Sequence, residues 1–183
     1  MNLLPNILIL IAAILVVFGQ SAFSGLRQLL GVQVDLLPAL IVYTALTAGP
    51  FILITLAVLG GLFFDTLSAN PLGTSVFPLL IIGFLIQIRR DLLLSNQAYA
   101  QCVLGLIASA VAPGISVLIL LTLGKSPLLG WGSLWQWFVM SVGGSIATPI
   151  LFYLFGRLNH ALGYQPVTET SFRPDREIRR GRN

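Results

Sequence analysis

Charge is what this chain has least of. Six acids and ten basic residues among 183 make only 9% charged, whereas a water-covered domain carries about 25%. The deficit excludes an ordinary soluble fold, because too few ionised groups remain to cover its surface. Cys102 is the single cysteine, which rules out an intramolecular disulfide and a cysteine-based metal cluster. His160 is the single histidine, and no His-Glu-x-x-His run occurs, so the zinc-hydrolase signature is missing. One acid, Asp65, lies well inside an apolar run, so a pair of facing carboxylates is not to be had. The expectation is a protein without catalytic, metal or cofactor-binding residues. Its net charge of +4 comes from residues that flank apolar runs and is not a nucleic-acid footprint.

What the chain does have is hydrophobic residues, 56% of it. The apolar runs are continuous and longer than the ten-residue alternating strands of membrane barrels, so the spans are expected to be helices. This reads as an all-α integral membrane protein with six transmembrane helices. The first runs from about Pro5 to Phe23 and lacks the basic leader and cleavage site of a signal peptide. A loop from Ser24 to Asp35 follows. From Leu36 to Ser68 the chain stays apolar for 33 residues, about 50 Å as one helix against a bilayer core of about 30 Å. Gly49-Pro50 must divide it, giving a short second span and a third from Phe51 to Ser68.

The fourth span covers about Leu72 to Ile88, bent at Pro78, and stops sharply at Arg89-Arg90-Asp91. The fifth, from about Tyr99 to Leu123, is interrupted at Pro113-Gly114, where neighbouring helices must satisfy the freed carbonyls. The sixth, from about Ser133 to Gly156, opens with Trp131, Trp135 and Trp137, rings suited to the headgroup level. Residues 1–163 thus form one transmembrane domain, and 164–183 a basic tail expected to be flexible. Six spans put both termini on one side, with Arg89, Arg90, Arg157, Arg173, Arg176, Arg179, Arg180 and Arg182, against Arg27 and Lys125 opposite. By the positive-inside rule the termini are cytoplasmic.

Asp65 ends the third span, followed by Ser68, Asn70, Pro71 and Gly73, a cluster that stops one helix and starts the next. A carboxylate in an apolar run costs roughly 2.5 to 3.5 kcal/mol at mid-bilayer, so it faces a bundle interior, a wet cavity or the interface. Two readings stand: a structural acid bonded to Ser68, Asn70 or loop amides, or a residue lining an outward crevice or meeting a partner. The small residues Gly60, Gly61, Ser68, Ala69 and Gly73, and Gly143, Gly144, Ser145 and Ala147 near Pro149, favour close helix approach.

The order Asp35-Leu36-Leu37-Pro38-Ala39-Leu40, Gly61-x-x-x-Asp65-x-x-Ser68, and then Leu72-Gly73 resembles the rod-shape-determining membrane protein MreD family. The closing run Pro149-Ile150-Leu151-Phe152-Tyr153-Leu154 with Arg157 is similar to that family's last span. Gly144 stands where the family more often has a polar residue, commonly Asn. The resemblance implies a non-enzymatic scaffold in the bacterial inner membrane, a subunit of the elongation machinery that makes peptidoglycan and maintains cell shape. It would bind MreC and work with MreB, RodA and the class B penicillin-binding transpeptidase. Gly61, Asp65, Ser68, Gly73, Gly143, Gly144 and Pro149 are its candidate structural or partner-contact residues. The family's fold is similar to the S-component of energy-coupling-factor transporters. A vitamin-binding S-component is therefore the alternative function, although the Ala-x-x-x-Ala docking pair typical of its first helix does not occur here.

Overall fold

A computed structural model describes residues 3–22, 35–68, 71–90, 97–124 and 130–161. They form six helices: α1 (Leu3–Ala22), α2 (Leu37–Thr47), α3 (Pro50–Leu67), α4 (Val76–Ile88), α5 (Ala98–Thr122) and α6 (Trp131–Ala161). The expectations for the first loop with Arg27, for Lys125 and for the tail from 164 onward fall outside the described residues. Three helices are long and apolar enough to cross a bilayer: α3, α5 and α6 as far as His160. The apolar part of α1 (Ile7–Gln20), α2 and α4 are shorter.

The bundle is arranged around α2. Leu37 to Ala45, nine consecutive residues, are all buried, and α2 touches each of the other five helices. Its sequence, apolar on nearly every face, is compatible with packing on every face. Its eleven residues would make only about 16 Å at 1.5 Å each. Because its neighbours sheathe it, its length need not match the thickness of a bilayer. The outer helices turn apolar side chains outward instead, among them Phe51, Phe77, Leu85, Leu118 and Ile150.

Proline chemistry sets the breaks, though not always where the sequence pattern places them. Gly49 is extended and Pro50 opens α3, a position where the missing N–H has no intrahelical partner to lose. Pro78 is the third residue of α4. It therefore sits in the first turn and does not bend the helix interior. Pro113 lies inside α5, which continues through it rather than being interrupted. Trp137 of α6 donates its indole N–H to the carbonyl of Ala110, three residues before Pro113, at 2.6 Å. The carbonyl that Pro113 deprives of its donor is that of Ser109, four residues back; the bond from the neighbouring helix falls one residue further on, at Ala110, and Trp137 is turned toward α5 to make it. The last helix runs past its expected end: Arg157 and His160 still belong to α6, which is 31 residues, or about 46 Å, long.

Two contacts fix which ends lie together. The Gln87 amide of α4 donates to the carbonyl of Ala48 at 3.4 Å, and Tyr43 of α2 stacks on Phe155 of α6 with centroids 4.6 Å apart. The C-terminal ends of α2, α4 and α6 therefore share one end of the bundle with the α2–α3 turn. Arg89, Arg90 and Arg157 are exposed there. Asp35, the α3–α4 corner and the start of α6 form the opposite end.

Candidate functional site

The α3–α4 corner is built from the residues singled out in the sequence. Gly61 is buried on α3, and a Cβ on it would lie 2.8 to 3.0 Å from Val76, the first residue of α4. The missing side chain is what lets the start of α4 come to van der Waals contact. One turn later on the same face stands Asp65, fully buried. Its carboxylate accepts the N–H of Gly73 at 2.8 Å and the N–H of Ser75 at 3.2 Å. These donors sit at the N-terminus of α4, where unpaired amides and the helix dipole both favour an anion. Ser68 closes α3 by donating its hydroxyl to the carbonyl of Phe64 at 2.8 Å. Of the two readings of Asp65, the geometry is that of a structural acid bonded to loop amides, eight and ten residues on; Ser68 spends its hydroxyl on its own helix.

Gly73 completes the corner through backbone conformation. Its φ is +93°, a region that costs other residues about 1 to 2 kcal/mol. Among the described residues no atom within 4 Å would meet an added Cβ, so the penalty for replacing it is strain. Gly73→Ala is expected to destabilise the bundle by about 1 to 2 kcal/mol, and Gly73→Asn by less, since asparagine tolerates this conformation better. Heat unfolding of the detergent-purified variants measures both. Equal melting of wild type and Gly73→Ala would remove the conformational role.

Gly143, Gly144 and Pro149 lie elsewhere, on α6, and take no part in the corner. Gly144 is buried where α6 crosses α5, the most extensive helix pair in the bundle. A Cβ there would fall on the Ser109 side chain, and one on Gly105 would fall on Thr148 Oγ1. Thr148 in turn donates its hydroxyl to the Gly144 carbonyl at 2.8 Å. Gly105, Ser109 and Thr148 were not singled out from the sequence, although the spacing Gly105-x-x-x-Ser109 was the readable sign of a close crossing. Gly143 and Pro149 are half-buried, and Pro149 leaves one carbonyl of α6 without an intrahelical donor.

Next to the corner lies a crevice of about 250 Å³. Phe64 of α3 with Ser68 just past its end, and Ser75 just before α4 with Pro78 and Leu79 of that helix, form one side. Pro113, Ser116 and Val117 of α5 and Gln136 and Met140 of α6 form the other. Its charged residue is not Asp65 but Asp35, two residues before α2, which also accepts the N–H of Leu37 on Oδ1 at 2.9 Å. Burial pushes the Asp35 carboxyl up to about 6, against the lowering effect of that N–H, so at neutral pH it is mostly ionised at a desolvation cost. The sequence pattern put Asp35 at the end of a loop and gave no sign that four further helices converge on it. No group of three or more His, Cys, Asp or Glu residues able to hold a metal ion occurs among the described residues.

These elements define a small all-helical bundle with three candidate membrane spans, a capped corner and an acidic crevice at the end away from Arg89 and Arg157. No family model, curated protein or solved structure matches the chain.

Proposed function

We propose that this chain is a non-catalytic membrane scaffold of the MreD type, binding MreC and supporting peptidoglycan synthesis and cell-shape maintenance in the bacterial inner membrane. The observation that carries the reading is the corner. The segment on which the resemblance chiefly rests, Gly61-x-x-x-Asp65-x-x-Ser68 to Gly73, forms one closed unit in which the carboxylate serves two backbone amides. The chemical content of that motif is shape, as a protein whose task is to hold other subunits requires. All six helices cross in this reading, with α2 crossing inside a sheath of the others. Arg89, Arg90 and Arg157 at one end support placing that end, and with it both termini, in the cytoplasm.

The mechanism is a shift of populations by contact: MreC bound to the bundle favours the assembly in which RodA and the class B transpeptidase work together. The test is purification of the tagged protein from native membranes in mild detergent, with the accompanying proteins identified by mass spectrometry. MreC and cell-wall synthases are expected. Recovery of a membrane coupling subunit with a pair of ATPases would overturn this reading in favour of vitamin uptake.

A further inference from the structure

The crevice beside the corner has a chemistry of its own, and it does not rest on the scaffold reading. Ser116 donates its hydroxyl to the Ala112 carbonyl at 3.1 Å, and Ser68 donates to the Phe64 carbonyl. Their protons are spent inside their own helices, so Ser116 offers the cavity oxygen lone pairs. The hydrogen bond described for Asp35 reaches Oδ1, and Asp35 is the only charged residue among the described lining. The polar lining thus joins one anion to the acceptor oxygen of Ser116 and to Ser75 and Gln136, which can accept as well as donate. The apolar walls of the crevice are Phe64, Leu79, Val117 and Met140. An anion against such walls is costly unless a cation joins it.

We infer that this crevice binds the N–H-bearing ammonium head of an amphiphile, the ammonium on Asp35 and the adjoining methylenes against the apolar walls. A primary ammonium carries three donors, and Asp35, Ser116 and Gln136 bring acceptor oxygens to the lining. The volume of about 250 Å³ equals roughly eight waters at their liquid share. That accommodates an ethanolamine head or the first part of an alkylamine, not a whole lipid. An ethanolamine phospholipid and a free long-chain amine share this chemistry, and the experiment separates them.

The full chain, purified in detergent, is examined by native mass spectrometry with four probes: dioleoyl phosphatidylethanolamine, phosphatidylcholine and phosphatidylglycerol of the same acyl chains, and dodecylamine. Phosphatidylethanolamine is expected to bind about tenfold more tightly than phosphatidylcholine, whose quaternary head has no N–H, and than anionic phosphatidylglycerol. Asp35→Asn keeps an oxygen for the Leu37 amide but removes the charge, and is expected to weaken binding about tenfold. Val117→Phe fills the cavity with the carboxylate intact and should weaken binding equally, which keeps the test valid if Asp35→Asn folds poorly. Retention of dodecylamine without phosphatidylethanolamine would support the same site with a free amine as its ligand. Equal binding of the three lipids, undiminished binding by both variants, or no retained probe would overturn the inference.

Discussion

Replacing Asp65 with alanine is expected to cost the folded bundle about 3 kcal/mol, measured as a fall in unfolding midpoint when the detergent-purified protein is titrated with sodium dodecyl sulfate. The carboxylate holds the amides of Gly73 and Ser75, and leaving a buried donor without a partner costs about 1 to 3 kcal/mol each. The lower half of that range applies, because the corner lies at an end of the bundle where water can reach a loosened turn. An opposing effect has to be weighed. Burying an ionised carboxylate has a desolvation cost of several kcal/mol, and alanine removes it. The native corner offsets that cost with two amide donors and the positive end of α4, so the variant loses the compensation together with the charge. Asp65→Asn sharpens the test. Its one amide oxygen can keep a single donor, while its NH₂ group meets the other, so it should fall between alanine and wild type. In cells, Asp65→Ala is expected to lower the amount of folded protein and, through that, the recovery of the partners proposed above. A variant that melts like wild type and still loses its partners would mean that Asp65 acts through a contact of its own.

The sequence made some of this legible, and the physical reasons for the rest can be named. Gly49-Pro50 and Arg89-Arg90 mark real boundaries because proline chemistry and the cost of a charge act locally, within a turn of the residue itself. Asp65 was recognisable as an anomaly for the same reason. Its partners were not, because a cap bond to Gly73 and Ser75 depends on how the intervening turn closes. The central place of α2 was hidden more deeply. In water an all-round apolar helix announces burial, but in a membrane protein a lipid-facing helix is equally apolar, and hydropathy cannot tell the two apart. The shortness of the run between Leu36 and Ala48 was the available hint. The crevice escaped notice because it draws Asp35, Ser75, Ser116 and Gln136 from four segments far apart in sequence. Pro113 likewise read as an interruption, since the indole of Trp137 that serves the neighbouring carbonyl lies 27 residues downstream.

Gly144→Ala is expected to be nearly as damaging as the loss of Asp65, by about 2 to 3 kcal/mol, the upper part of the range for overfilled packing. The new methyl would fall on Ser109, and the atoms in its way include Ser109 Cβ as well as Oγ. A Cβ is fixed to the backbone and cannot rotate aside, so α5 and α6 must separate along their whole crossing. Because small residues and packing drive helix association where no hydrophobic force operates, that separation has no ready compensation. A second substitution gives the argument its test. Ser109→Gly moves the space from one helix to the other, and Gly144→Ala combined with it should recover most of the loss, less about 1 kcal/mol for a further helical glycine. Ser109→Ala is the informative control. The Ser109 hydroxyl is buried and without a hydrogen-bond partner among the described residues, so its removal alone should be neutral or slightly stabilising. It keeps the obstructing Cβ, however, and should not rescue Gly144→Ala. Gly19→Ala, where nothing among the described residues lies within 4 Å, supplies the baseline for a glycine replaced without collision. Rescue by alanine at 109 as good as by glycine would locate the obstruction in the hydroxyl. Rescue by neither would mean that the crossing does not depend on the Gly144–Ser109 contact, and that α5 and α6 are held together by the rest of their interface.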